Sequence, residues 1–305
     1  MKADFFHCVG TLLPYVLLFV SINGTDILAQ SVLFEAGVED TIVDPPASGP
    51  GVRFMWFPQR IALRSGKVAS DQWDKDHIGI GSVVWGQSSI ASGQYATAWG
   101  KDNISEGELS TSWGADNLAL GNISTSFGQS NISRGDVSNT MGFGLIANSY
   151  VETVIGRFND TLETSNPTMA DDADYLFVVG NGSSGNFRSN ALELYKNGHT
   201  RIKSLVFYDD TLSVNHDNTV INVDVFGYLR LGATPSSNPD ERTVILADGS
   251  YPGQMVILQC IANTFQMLDD TSNTNLSSNH NLGISDTITL IWDGNIWLET
   301  HYSDN

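Results

Sequence analysis

The stretch SSIASGQYATAWGKDNISEGELSTSWGADNLALGNISTSFG, residues 88–128, repeats every fourteen residues. Its glycines lie seven residues apart, and a bulky apolar residue precedes every second one. A fixed period of this kind indicates a repeat architecture in which each unit stacks on the next. We assign to the repeat the glycines Gly86, Gly93, Gly100, Gly107, Gly114, Gly121, Gly128, Gly135 and Gly142, and the bulky residues Trp85, Trp99, Trp113, Phe127, Met141 and Ile155.

Each fourteen-residue unit reads as two strands and two turns. The run from Tyr95 to Trp99 alternates small and large side chains, which is typical of a strand with two different faces. Glycine at every seventh position is expected to supply the turns. Two further apolar rows share the period: Ile90, Ile104, Leu118, Ile132, Ile146, and Tyr95, Leu109, Ile123, Val137, Val151. The sequence therefore predicts an all-β solenoid whose coils lie about 4.8 Å apart.

A fourteen-residue coil leaves little space between its two strand layers. Small residues such as Ala98 and Ser112 suit that space, whereas the Trp, Phe and Ile rows need another surface to cover them. Several chains packed together would provide it, so we expect an oligomer. If the bulky rows point into the coil instead, a monomeric solenoid is the alternative.

The quoted repeats closely resemble the head repeats of YadA-like trimeric autotransporter adhesins. The shared pattern is Ser-x-Ala-x-Gly alternating with Ser-Thr-Ala-bulky-Gly. The resemblance implies a left-handed parallel β-roll (14-residue repeat solenoid) that assembles as an intertwined homotrimer, with surface adhesion as the typical activity. The chain departs from that family at its end, because it finishes in Tyr302-Ser303-Asp304-Asn305 and shows no sustained heptads.

Segments on either side extend the resemblance. GVRFMWFPQRIALRSGKVASDQWD, residues 51–74, looks like the segment before such repeats in secreted proteins of Bacteroidetes-type bacteria, and YLFVVGNGSSGNFRSNALELYKNG, residues 175–198, looks like the segment after them. We interpret the first as a cap over the open coil. The residues expected to cover that coil are Phe54, Trp56, Ile61, Leu63 and Val68.

The chain divides into five predicted segments. They are a signal peptide at 1–29, an N-terminal segment and roll cap at 30–78, head repeats at 79–160, a neck or β linker module at 161–235, and a small antiparallel β tip domain at 236–305. Turns are expected at Asp209-Asp210 and Phe226-Gly227, with a Ser, Asn and Pro-rich boundary from Pro235 to Pro239. The tip resembles small domains of phage tail fibres, and Asp293-Gly294 predicts a hairpin turn there.

The N-terminus indicates export. Lys2 precedes an apolar run from Phe5 to Ile22, and Ala29 offers a small residue for cleavage. A membrane anchor is the alternative, although the run is shorter than the ~20 residues that a bilayer span needs. Cys8 would leave with the signal peptide and Cys260 would remain single, so no disulfide framework is expected.

Composition excludes some partners and chemistries. The net charge of -19 disfavours nucleic acid. No catalytic residues, metal site or cofactor are expected, because the six His residues lack ligand spacing and no nucleophile elbow or phosphate loop occurs. A solenoid polysaccharide lyase would need longer coils.

For several other candidate binding residues, a purely structural role is favoured over a binding role. The tryptophans could stack on sugars, and the row Thr97, Thr111, Thr125, Thr153 could order water or ice. Glycosylation sequons begin at Asn103, Asn122 and Asn131, and calcium could bind at Asp172, Asp174, Asp209 and Asp210.

The function predicted from these features is that of a non-enzymatic, secreted or cell-surface adhesin-like structural protein. It would mediate attachment through a trimeric head outside the outer membrane, with itself and an unidentified protein or glycan on a surface as partners. No stable transmembrane segment is expected in the mature chain. The alternative is a phage-tail-like fibre or a receptor-binding or glycan-binding tip protein.

Overall fold

The structure is a computed structural model that describes residues 44–207, 209–214, 216–223, 227–232, 242–262, 264–267 and 273–305. The predicted signal peptide at 1–29, the first part of the 30–78 segment, the expected turn at Phe226 and the boundary from Pro235 to Pro239 lie outside the described residues.

The regular secondary structure of the described residues consists almost entirely of β-strands, which confirms the all-β prediction. They form two compact units: one runs to Leu176 and includes Gly182–Arg188, and the other comprises Phe177–Asn181 and Ser189–Asn305. Short 3-10 turns occur at Pro58–Arg60 and Lys75–His77. In these ranges no helix has the length and apolar character to cross a membrane.

The first unit is built on two parallel sheets of stacked fourteen-residue coils, which we call the repeat body (Val83–Arg157). The long strands of its first sheet are β3 (Val83–Gln87), β5 (Thr97–Lys101), β7 (Thr111–Ala115), β9 (Thr125–Gln129), β11 (Asn139–Phe143) and β13 (Thr153–Arg157). The short strands of its second sheet are β4 (Ile90–Ala91), β6 (Ile104–Ser105), β8 (Leu118–Ala119), β10 (Ile132–Ser133) and β12 (Ile146–Ala147). Every coil pairs with the next at a spacing of fourteen residues.

The interior of the repeat body is narrow and lined by small side chains. The inward positions of both sheets are fully buried, among them Ala98, Ser112, Ala91 and Ser105. Hydroxyl groups bond across the space: Ser105 Oγ lies 2.6 Å from Ser112 Oγ. On the first sheet the side chains of Trp99 and Trp113 lie on the face opposite these buried positions and point outward.

The glycines permit close coil-to-coil approach, and only alternate ones lie at turns as expected: Gly107 begins a turn in which its carbonyl oxygen accepts Ser110 N at 3.2 Å. Gly114 lies inside β7, and a Cβ on it would meet the carbonyl oxygen of Gly128 at 2.0 Å. Gly107 would meet Gly121 O at 1.9 Å. The left-handed turn positions fall instead on non-glycine residues such as Asp102 and Leu109, at φ 53 and 58. Glycine is required because the backbones of neighbouring coils leave no space for a side chain.

A strand pair precedes the repeat body: β1 (Gly51–Phe57) lies antiparallel to β2 (Ala62–Val68), which lies parallel to β3. The predicted covering role of Phe54 and Ile61 is wrong, because both side chains are exposed, whereas Val68 is buried as expected. The buried residues of this segment are Met55, Phe57, Ala62, Val68 and Trp73. Strand alternation explains the difference, since β1 and β2 extend the first sheet and turn every second side chain outward.

Buried polar side chains close both ends of the coil stack. At the first coil, Arg64 is fully buried and donates to Ser82 O at 3.0 Å and Ala91 O at 3.1 Å. Burial lowers the pKa of Arg64 to about 10. At the last coil, the Glu152 carboxylate accepts the backbone N–H groups of Asn148 and Ser149, each at 2.8 Å. At each end of the stack, the buried side chain therefore forms hydrogen bonds with backbone groups that would otherwise pair with a further coil.

The second unit mixes parallel and antiparallel strands, whereas the sequence predicts antiparallel pairing. β14 (Tyr175–Asn181), β15 (Asn190–Tyr195) and β16 (Thr200–Ile202) are consecutive neighbours, and β14 begins in the first unit. One sheet has the order β17 (Asp209–Ser213), β19 (Tyr228–Gly232), β21 (Met255–Cys260), β25 (Thr287–Trp292), β26 (Trp297–Ser303), β23 (Thr274–Asn275). The other has the order β18 (Thr219–Ile221), β20 (Arg242–Leu246), β22 (Phe265–Met267), β24 (His280–Leu282).

Of two local predictions in this unit, one is confirmed and the other is wrong. The hairpin at Asp293-Gly294 is present, with β25 antiparallel to β26 and Trp292 opposite Trp297. Asp209 and Asp210 lie in a strand and not in a turn. They pair in parallel with Tyr228 and Leu229, so the neighbouring strand overrides the low strand propensity of Asp.

Candidate functional site: the outward rows of the repeat body

Trp99 stands directly beside Trp85 and Trp113 in the parallel register of the first sheet. The same row continues through Phe127, Met141 and Ile155. Trp99 and Trp113 are 49% and 51% exposed, so large apolar side chains lie half in solvent. We call the six residues the bulky row, and its outward direction rules out the reading that places them inside the coil.

The aromatic rings of the bulky row pack against one another along the coil stack. Trp99 and Trp113 stack at 5.3 Å between ring centroids with an interplanar angle of 11°. Trp113 then meets Phe127 edge to face at 5.6 Å. A sugar ring binds over the open face of an indole, whereas Trp99 and Trp113 turn faces toward each other. The geometry favours a packing surface over a sugar platform.

Two more apolar rows lie on the second sheet and on one of the two turn sides of the coils. The second sheet turns outward Ile90, Ile104, Leu118, Ile132 and Ile146, which are all half-buried. At the turns, Tyr95, Leu109 and Ile123 are half-exposed and adopt left-handed backbone angles. Three sides of the repeat body therefore present apolar side chains at the spacing of one residue per coil, whereas the turn after each long strand carries the polar residues Ser88, Asp102, Asp116 and Ser130.

A buried row of asparagines aligns the coils, and the sequence reasoning missed it. Asn103, Asn117 and Asn131 have no exposed surface. The Asn117 side chain donates to Trp113 O at 3.0 Å and to Gly128 O at 2.8 Å, and its Oδ1 accepts Asn131 N at 3.1 Å. The available signal was the fourteen-residue spacing of the three asparagines.

This row changes the interpretation of the sequons. Because Asn103 and Asn131 are buried with their amide groups bonded to backbone carbonyls, they are closed to glycosylation in the folded chain. Asn122 lies at the surface and its Oδ1 accepts the Glu108 N–H at 3.0 Å. Thr97, Thr111, Thr125 and Thr153 are half-buried on the same outer face as the bulky row.

One polar cluster of the second unit has residue types used in catalysis. Glu299 Oε2 accepts hydrogen bonds from Ser277 Oγ at 2.9 Å, from Ser277 N at 2.7 Å and from His280 Nε2 at 2.8 Å. Ser277 and His280 both donate to the same oxygen of Glu299. The carboxylate therefore bonds the imidazole of His280 at Nε2 and does not orient it from the other ring nitrogen, Nδ1. This geometry ties β24 to β26 and differs from a nucleophile, base and orienting acid in series.

Of the acidic residues considered for calcium, Asp172 and Asp174 precede β14, whereas Asp209 and Asp210 lie in β17. Asp174 is buried and its Oδ2 accepts Asn166 N at 3.0 Å, whereas Asp172 is exposed. Among the residues that the structure describes, no group of three or more His, Cys, Asp or Glu side chains is arranged to hold a metal ion.

Comparisons with known proteins do not assign a family. No protein-family model matches the sequence, and no curated protein matches it. One similar solved structure is titled "Structure of a chaperone-substrate complex"; it is 11% identical, with a TM-score of 0.28, and the match covers 57% of this chain. The match spans 30% of that chain's length, and a likeness at this level carries no argument about fold or function.

Proposed function

We propose that this chain is an exported, non-enzymatic attachment protein at the cell surface whose repeat body is a left-handed β-roll in a homotrimeric head. The resemblance of residues 88–128 to YadA-like head repeats suggests this assignment. The observation that carries it is the outward direction of the bulky row and of the second-sheet Ile/Leu row.

The outward-facing apolar rows are too extensive for a surface that is exposed only to solvent. The bulky row is contiguous over six coils, with Trp85 at 54% and Met141 at 58% exposure. Contiguous apolar surface of this extent marks an interaction site in soluble proteins. Covering the exposed half of one Trp is worth about 2 kcal/mol, so the row can stabilise an assembly.

A closed ring of three chains fits the presence of two different apolar faces. In a three-fold ring each chain offers one surface to one neighbour and another surface to the next. The bulky row and the Ile/Leu row are such a pair, and both advance by one residue per coil. Matching axial spacing lets the rows of neighbouring chains interlock along their length.

The second unit supports a second candidate, a fibre tip that recognises a receptor or glycan. It has its own buried core around Leu258, Leu290 and Trp297. The export signal predicted at residues 1–29 disfavours a virion fibre, which assembles inside the cell. Secretion of the chain with cleavage after Ala29 would support the surface assignment.

Attachment is tested with beads carrying residues 30–305 on glass coated with mucin, with extracellular matrix gel or with albumin. We expect several-fold more beads on mucin or matrix than on albumin, because a multivalent head gains avidity. Matched beads carry the Trp99→Glu Trp113→Glu chain, which lacks the proposed interface, and should fall to the albumin level. Equal counts on all three coatings for the unaltered chain would contradict the proposal.

A further inference from the structure

A groove with both polar and apolar lining residues lies beside the repeat body, on the side of the coil turns. It has a volume of about 430 Å³, within the range of small-ligand sites. One wall consists of Leu120, Arg134 and Asn148, which occupy the same position in three successive coils. The other wall is the segment from Leu162 to Pro167. A second groove of about 430 Å³ adjoins it and shares Ser165 and Pro167.

The segment that forms the second wall is held against the coils by several hydrogen bonds. Asp136 N donates to Pro167 O at 2.7 Å, and Tyr150 N donates to Asn166 O at 2.8 Å. Buried Asp174 accepts Asn166 N at 3.0 Å, and Asn166 Oδ1 accepts Met169 N at 3.0 Å. The groove is therefore formed before a ligand arrives, which lowers the entropic cost of binding.

The polar side chains of the lining include both hydrogen-bond donors and acceptors. At the protein surface, Arg134 Nη1 donates to Asn148 Oδ1 at 3.1 Å, which uses one of the five guanidinium N–H groups. Glu163 supplies an acceptor of opposite charge, and Ser165 both donates and accepts. A sulfate or phosphate group would need more cations than Arg134 alone.

We propose that this groove binds the neutral sugar end of a surface glycan. Vicinal hydroxyl groups both donate and accept, so they match Arg134, Asn148, Glu163 and Ser165 together. Leu120, Leu162 and Pro167 supply apolar contact for the C–H face of the ring. The site deepens the proposed attachment function and rests on it for its biological role. It uses a side of the coil that the two sheet rows leave uncovered.

The test is saturation-transfer NMR and titration calorimetry on residues 30–305 with methyl glycosides of glucose, galactose, mannose and N-acetylglucosamine, plus N-acetylneuraminic acid. We expect at least one neutral glycoside to bind with a Kd of about 1 mM, which corresponds to a weak site. Arg134→Ala should weaken it at least about tenfold, by loss of a charged hydrogen-bond donor. Leu162→Trp, which fills the groove, should abolish it.

Arg157→Ala is the matched control, because Arg157 is exposed on β13 away from the groove, and it should bind as the unaltered chain does. Binding of N-acetylneuraminic acid alone would overturn the neutral assignment. Absence of neutral-sugar binding up to about 10 mM, or binding that Arg134→Ala and Leu162→Trp leave unchanged, would overturn the site. The mass of the chain in solution is measured on the same samples, so a missing sugar site and a missing trimer are separate results.

Discussion

The side-chain amide of Asn117 donates to the side-chain carbonyl of Asn103 at 3.1 Å, one coil away and fully buried. The same oxygen of Asn103 accepts the backbone N–H of Asn117 at 3.0 Å. A register shift between these coils would leave several buried polar groups without partners. The asparagine row therefore fixes the alignment on which the outer apolar rows depend.

Asn117→Ala should lower the free energy of unfolding by about 2 kcal/mol, because the carbonyls of Trp113 and Gly128 would lose their donors in a buried place. Denaturant unfolding measures the change. Asn122→Ala removes an exposed hydrogen bond and should change stability by about 0.5 kcal/mol or less. Equal effects of the two substitutions would show that the buried row does not stabilise the coils.

Gly114→Ala should destabilise the chain by more than about 3 kcal/mol or prevent folding, because its Cβ would lie 2.0 Å from Gly128 O. The matched substitution is Gly185→Ala, where no atom lies within 4 Å of the added methyl group. We expect normal yield and an unchanged melting temperature for Gly185→Ala. A well-folded Gly114→Ala chain would contradict the close coil approach.

Trp99→Glu Trp113→Glu should convert the assembly to single chains while the β-sheet circular dichroism persists. The two side chains lie half in solvent, so their replacement removes contacts between chains and leaves the packing inside each chain intact. Sedimentation velocity measures the mass. Tyr251→Glu, at a 76% exposed aromatic of the second unit, is the control and should leave the mass unchanged. Retention of the assembly by the double variant would place the interface elsewhere.

Acid should weaken the second unit through Glu299. Burial raises the pKa of Glu299, but hydrogen bonds from Ser277 and His280 outweigh burial, so the net pKa is lowered from its ordinary value. A carboxylate whose pKa is lowered in the folded state stabilises the fold at pH values above its pKa in the unfolded chain, which is about 4.3. This stability is lost as the pH falls through the lowered value.

Calorimetry at pH 7 and pH 3.5 tests this. Glu299→Gln should melt lower than the unaltered chain at pH 7, by loss of a charged acceptor worth about 2 kcal/mol, and should depend less on pH. Glu106→Gln, at an exposed carboxylate, should behave as the unaltered chain at both values. An identical pH response of Glu299→Gln and the unaltered chain would remove Glu299 from the explanation.

Much of the repeat body could be predicted because one residue pattern recurs in each coil. Trp85, Trp99 and Trp113 share a register row, as the fourteen-residue spacing indicates. The outward direction of that row also follows from side-chain size, since a coil that accommodates Ala98 and Ser112 has no room for tryptophan.

Other features depend on contacts that periodicity does not encode. The role of Gly114 requires the position of the next coil's carbonyl, and the direction of Phe54 requires the pairing of β1 with β2. The groove beside Arg134 is formed by a segment outside the repeat, so no periodic signal places it there. The parallel pairing of β17 with β19 likewise joins strands separated by a long connection.

The most direct test of the central claim is the mass in solution of residues 30–305, by light scattering coupled to size exclusion over a dilution series. The proposal predicts three times the chain mass at every concentration, because the bulky row and the Ile/Leu row cover each other between neighbouring chains. A single-chain mass throughout would contradict the trimeric head and leave the half-exposed tryptophans of the bulky row facing solvent.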